Sequence, residues 1–190
     1  MSSSRERILD AAVVRIASDG IDAVRIARIA MDARVSTALV HYHFATREAL
    51  LAEALEHSFA TAGEVRDGTG DPVTRLRAMV EQCLPLPGEQ ERDWVLWVEL
   101  WLRAVRHPEL RPTAAKLYAN MHDWFREAIE EGEFGPVDAA AIADRALALI
   151  DGFGVRALLG DPAIPLERAR DEVWHALAGD LGLRAGTATS

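Results

Sequence analysis

Residues 26–50 read IARIAMDARVSTALVHYHFATREAL, and this stretch decides the fold. Ile26, Ile29, Ala30 and Ala33 recur at helical spacing, so the segment can lay one apolar face on a core. Asp32-Ala33-Arg34 breaks the pattern, and Ser36 stands where a helix N-cap is needed, its hydroxyl able to accept from an early backbone N–H. A second short helix follows, Thr37 to Phe44, with Thr37, Ala38, His41 and Tyr42 free to face outward. Helix, tight turn, helix with a polar outer face is the helix-turn-helix pattern, whose second helix enters a DNA major groove.

Working outward, helix signals fill the chain. Ser3-x-x-Glu6 is a capping box that starts a helix near Ser4, with Ile8, Leu9, Ala12, Val13 and Ile16 as its buried stripe and Gly20 as its stop. Thr46 caps a long helix from Arg47 to about Arg66, carrying Leu50, Leu51, Ala54, Leu55 and Phe59 on one face. Asp67-Gly68-Thr69-Gly70 reads as a linker. Asp71-Pro72 opens a helix to about Leu84, and further helices are expected over 92–106, 112–131, 139–159 and 165–181, with 184–190 frayed. The chain is therefore expected to be all-α, about nine helices, with a head over 1–50 and a larger helical domain over 51–190.

Charge is divided unequally. The 190 residues carry a net −9, yet residues 1–50 hold seven Arg against six Asp or Glu, which leaves −10 on residues 51–190. A local basic patch suffices for DNA, because only contacting groups neutralise phosphates. A single cysteine, Cys83, excludes an internal disulfide and fits a reducing cytoplasm. No apolar leader and no membrane-length apolar run are read, so a cytoplasmic protein is expected. No Gly-rich phosphate loop, nucleophile elbow or metal-ligand spacing is present, which argues against an enzyme and against any cofactor.

Ala30-x-x-Ala33-x-Val35-Ser36, followed by His41-Tyr42-His43-Phe44-x-x-Arg47-Glu48-Ala49-Leu50, resembles the DNA-binding domain of TetR-type repressors, and Arg5 to Ala12 resembles that family's first helix. The resemblance spans roughly residues 5 to 59. It implies a transcriptional regulator, a palindromic double-stranded operator, a homodimer and a small-molecule inducer that releases the DNA. Three positions depart from the family. Arg34 stands where glycine is usual in the turn, at a position expected to need a positive φ; Ala38 also replaces a common glycine; His41 replaces a frequent tyrosine.

The expected DNA contacts are Thr37, Ala38, His41 and Tyr42 on the reading helix, Ser36 and Thr46 at helix starts, and Arg25, Arg28, Arg34 and Arg47 where phosphates would run. His41-x-His43 is not a metal site, because residues two apart on a helix point about 200° apart. His43 reads as a packed histidine and Cys83 as a buried small hydrophobe.

Four of the five tryptophans fall within Trp94 to Trp124. Trp94, Trp97, Val98 and Trp101 share one helical face. Plain core is one reading of this cluster. The family resemblance gives the other, an inducer pocket with Trp97, Trp101, Tyr118, Met121, Trp124, Phe125 and Phe153 as candidates. Glu99, Asp123 and Asp151 lie near in sequence, and an aromatic wall with a carboxylate suits a cationic or amphipathic ligand. The Trp-rich helix, His107-Pro108-Glu109-Leu110 and residues 147–153 resemble, more distantly, the C-terminal domain of choline-responsive repressors. On the last two helices Ile142, Ala146, Ile150, Phe153, Ala157, Val173, Trp174 and Leu177 are the expected dimer face, which the resemblance implies is a four-helix bundle. The rival classes are a helical adaptor or ligand-binding protein without specific DNA affinity and, further off, an enzyme.

Overall fold

The computed structural model describes residues 2–62 and 70–183, without the side chains of residues 59–62, 89 and 109. Among the described residues there are nine α-helices and no strand: α1 (Ser4–Asp19), α2 (Ile26–Asp32), α3 (Thr37–His43), α4 (Arg47–Ala62), α5 (Pro72–Gln82), α6 (Glu89–Arg106), α7 (Arg111–Glu131), α8 (Ala139–Leu158) and α9 (Leu166–Asp180). A 3-10 turn, Pro108–Leu110, joins α6 to α7. The all-α fold and its helical head are as the sequence implies. The linker 67–69, the last residues expected of α4 and the C-terminal tail lie outside the described residues.

Local chemistry sets the helix starts. Ser3 accepts from Glu6 N–H while the Glu6 carboxylate accepts from Ser3 N–H, which is the full capping box. Asp71 caps α5 through Val73 and Thr74, and Asp138 caps α8 through Ala141. Gly20, at φ 74, ends α1 with its N–H on the Ile16 carbonyl.

The chain divides into two compact units. The first comprises the described residues of Met1–Val65 with Val95–Leu117. Its core joins Ile8, Leu9, Ala12 and Ile16 of α1 to Ile29, Val40, Leu50, Leu51, Ala54 and Leu55, all buried. Each such Leu or Ile stabilises the head by about 1.5–3 kcal/mol relative to exposure. His57 Nε2 and Asp10 Oδ1 meet at 2.7 Å, tying α4 to α1. Within this unit α6 leans on the α1–α2 turn: Arg103 pairs with Asp22, and the Glu99 carboxylate sits against Gly20. This unit thus extends past residue 50, because the apolar stripe of α4 is completed by α1. Val98, expected on the buried face of α6, is 37% exposed.

The second unit comprises the described residues of Arg66–Trp94 with Tyr118–Ser190. α8 and α9 pack on each other through Ile142, Ala146, Ile150, Ala169, Val173 and Leu177, and α5 adds Leu76, Met79 and Val80 to the buried set.

Candidate nucleic-acid interface and ligand site

The reading helix is oriented by what it buries. Val40 is 1% exposed and anchors α3 in the head core, which leaves Thr37, Ala38, His41 and Tyr42 in solvent, Tyr42 at 82%. Ser36 caps the helix, accepting from Leu39 N–H at 3.1 Å. His43 turns inward and meets Ser4 Oγ at 3.0 Å, in keeping with its reading as a packed histidine. Among the described residues no group of three His, Cys, Asp or Glu could hold a metal ion.

The turn before α3 closes α2 in a Schellman arrangement. Arg34 N–H donates to the Met31 carbonyl at 3.1 Å and Val35 N–H to the Ala30 carbonyl at 2.9 Å, with Arg34 at φ 55. A non-glycine residue there costs on the order of 1 kcal/mol.

The seven arginines of residues 1–50 divide by what they meet. Arg5 pairs with Glu53 and stacks over Phe44, and Arg7 donates to the Ala33 carbonyl at 3.3 Å. Arg15 donates through Nη2 to Asp32 Oδ1 at 3.1 Å. The Asp32 carboxyl is held below its usual range by Arg15 first and, last, by the charge of Arg28. Arg25, Arg28 and Arg34 are exposed, and their guanidiniums meet no hydrogen-bond or ion-pair partner among the described residues.

Arg47 departs from the expected phosphate contact. Its guanidinium donates to the carbonyls of Ile21 at 2.5 Å, Val24 at 3.3 Å and Asp22 at 3.4 Å, so it fastens the α1–α2 turn to the start of α4. Thr46 likewise is committed as a cap, its Oγ1 accepting from Ala49 N–H at 3.0 Å. Because charged donors to carbonyls contribute about 1.5–3 kcal/mol, Arg47→Met is expected to destabilise the protein by roughly 2–3 kcal/mol. Urea unfolding checks this; a melt within 0.5 kcal/mol of the parent, on the order of an ordinary surface substitution, would overturn the clamp.

The expected ligand residues fall in different units. Trp97 and Trp101 belong to the first, where their rings pair at 6.0 Å. Tyr118, Met121, Trp124, Phe125 and Phe153 belong to the second. There the Tyr118 hydroxyl donates to Asp151 Oδ2 at 2.6 Å. Burial pushes the half-buried Asp151 carboxyl above the ordinary carboxylate range, partly opposed by that hydrogen bond, and no cationic side chain pairs with it among the described residues. Burial, with the charge of Asp151, pushes the nearby Cys83 thiol up to about 12, so it stays protonated and a poor nucleophile. Trp124 Nε1–H is enclosed without an acceptor among the described residues. Phe125 is fully enclosed and packs behind Trp124, ring to ring at 5.6 Å, so it is core.

Sequence reasoning missed the seat of Trp94. Its Nε1–H donates to the Cys83 carbonyl at 3.1 Å, and its six-membered ring fills the space that a Cβ on Gly154 would take. Gly154 is thus a site of close approach, and the group that approaches it is an indole.

The expected dimer face is corrected in the same unit. Ile142, Ala146, Ile150, Val173 and Leu177 are each at most 3% exposed in the single chain, so they hold α8 to α9 and are closed to a partner. Phe153, Ala157 and Trp174 are half-buried, with Arg77 over the Trp174 ring at 5.7 Å. The outward apolar positions of α8 are Ala148, Gly152, Val155 and Leu159 just beyond its end, the last 78% exposed.

Comparison with known proteins meets both parts of this geometry. Residues 8–54 match the model of bacterial regulatory proteins of the tetR family, and residues 72–181 match that of the BetI-type transcriptional repressor C-terminal domain. The HTH-type transcriptional regulator BetI of Paraburkholderia xenovorans is 29% identical over 170 residues, covering 83% of this chain and 84% of that protein. Among solved structures, a transcriptional regulator from Saccharomonospora viridis in complex with choline is 30% identical, covers 91% of this chain and 94% of its own, and has a TM-score of 0.76. A TetR-family regulator from Rhodococcus sp. is 28% identical, covers 95% of this chain and all of its own, and has a TM-score of 0.85. With a reading head and a BetI-type C-terminal region in one chain, the protein belongs to the TetR family of DNA-binding transcriptional regulators.

Proposed function

We propose that the protein is a cytoplasmic repressor that binds a palindromic operator as a homodimer and releases it when a small organic cation occupies the second unit. Residues 1–50 supply the DNA contacts and residues 51–190 the ligand and dimer contacts. The observation that carries the DNA reading is the exposed face Thr37, Ala38, His41 and Tyr42 on a helix anchored by Val40. Thr37 suits a base edge or a thymine methyl, and Tyr42 a phosphate oxygen. Arg25, Arg28 and Arg34 surround that face with positive charge.

The cation reading rests on Asp151, a desolvated carboxylate without a cationic partner among the described residues. A quaternary ammonium that met it beside Tyr118 would supply the missing charge, and aromatic faces would hold its methyl groups. The Saccharomonospora viridis relative was solved with choline, and choline is therefore the first probe. Two copies meet through the outward face of α8 and α9, around Ala148, Val155 and Leu159. Ligand acts by binding the released arrangement more tightly than the DNA-bound one.

The test is binding of the purified protein to its own upstream intergenic DNA at two salt concentrations, with and without choline. Preference over random DNA, steep weakening with salt and release by choline are expected. In the same assay Thr37→Ala with Tyr42→Phe should lose on the order of 1–3 kcal/mol of sequence preference with an unchanged melt, since both side chains are exposed. Absence of any DNA preference, with choline still bound, would instead identify a ligand-binding protein without an operator.

A further inference from the structure

We propose that Arg34 is a phosphate anchor of the reading head, holding the DNA backbone beside the N-terminus of α3; this rests on the DNA-reading assignment above. Arg34 occupies the C′ position of the Schellman turn at φ 55, where glycine would make the same two backbone hydrogen bonds without strain. The backbone gains nothing from the arginine, so its contribution lies in the side chain. That side chain is exposed, meets no acceptor among the described residues, and precedes the Ser36 cap of the reading helix by two positions.

The other cations of the head are placed differently. Arg5 and Arg15 face carboxylates, Arg7 and Arg47 donate to backbone carbonyls, and Arg28 lies within reach of the Asp32 charge. Arg25, Arg28 and Arg34 are the three whose guanidiniums meet no hydrogen-bond or ion-pair partner among the described residues, and of these Arg34 stands nearest in sequence to the start of α3. With Arg47 turned inward, the charge that meets phosphate near the reading helix shifts from the start of α4 to the turn before α3. A single exposed positive charge at this place can neutralise a phosphate, and such contacts position a head without reading sequence.

Left-handed backbone alone marks nothing: Glu133, at φ 52 in the turn after α7, adopts it as well. Position and charge distinguish Arg34, and Glu133 supplies the control.

The experiment measures binding of the full-length protein and of R34G, R34K and E133G to labelled mixed-sequence duplexes of roughly 30 base pairs, between about 50 and 200 mM salt. R34G is expected to weaken binding several-fold on every duplex and to reduce the slope of log K against log salt by about one per head. R34K should retain most of both, because it keeps the charge. R34G should melt at or above the parent temperature, which separates lost contact from lost fold. E133G should share that gain in melting temperature and leave DNA binding unchanged. A steep parental slope with R34G indistinguishable from the parent overturns the anchor and leaves the DNA reading intact. Equal loss in R34G and R34K makes the effect one of shape, and also overturns it. A parent that binds no duplex removes the DNA reading, and the anchor falls with it.

Discussion

Gly154→Ala is expected to lower the melting temperature, although the same substitution elsewhere on that helix should raise it. On helix propensity alone alanine is favoured over glycine by about 1 kcal/mol. At residue 154, however, a Cβ would overlap Cη2 and Cζ2 of Trp94. That indole cannot swing away cheaply: it is 6% exposed and tethered through Nε1 to the Cys83 carbonyl. Overpacking of this kind costs about 1–3 kcal/mol and forces either the indole or α8 to move. For a chain of this size that is a fall of roughly 2–12 °C, and a leucine should exceed it. Gly152, two residues earlier and exposed, has open space where its Cβ would be. Gly152→Ala should therefore gain about 0.5–1 kcal/mol. Thermal melts of the two variants side by side check the claim, and a Gly154→Ala protein that melts at or above the parent refutes the seat.

Asp151→Asn should stabilise the empty protein and impair it as a ligand binder. The folded state raises the Asp151 carboxyl above its ordinary value because burial disfavours the anion. The folded protein therefore binds more protons than the unfolded chain in the window between the ordinary and the raised value. Stability falls as pH rises through that window and stays lowered above it. Asparagine cannot ionise, still accepts from the Tyr118 hydroxyl, and removes the penalty. The variant should be more stable than the parent at neutral pH, with a flatter acid-side profile. It should also lose the charge that attracts a quaternary ammonium, weakening choline on the order of 10- to 100-fold. Calorimetric titration with choline and urea melts from mildly acidic to neutral pH read both effects. Unchanged choline affinity would remove Asp151 from the site; a parental pH profile in the variant would remove its burial as the cause.

The two expectations also show where sequence was informative. Helix starts were legible because a cap is a local object: Ser3 with Glu6, Ser36, Asp71 and Asp138 each find their N–H within three residues. The outward face of α3 was legible because burying Val40 fixes where Thr37, His41 and Tyr42 point. The positive φ at Arg34 was expected only through the family resemblance, which puts a glycine at that position of the turn. Arg47 was not legible, since whether a guanidinium finds phosphate or carbonyl depends on how residues 21–24 fold back on α4. Nor was the outer face of α8. That helix carries two apolar stripes, and periodicity does not say which packs within the chain; the bulkier one, through Ile142 and Ile150, does. Trp94 and Gly154 lie sixty residues apart, and nothing in either neighbourhood announces the other.

The sharing of α6 between the two units bears on how the protein is made. A ribosome delivers the head first, but its unit is complete only when residues 95–117 have emerged. Until then Asp22 lacks Arg103 and Gly20 lacks the cover of Glu99. The intervening residues of the second unit are synthesised meanwhile, at a pace of about 5–20 residues per second. The head thus waits several seconds for its last helix. The residues of the reading surface are all synthesised before the helix that braces the α1–α2 turn.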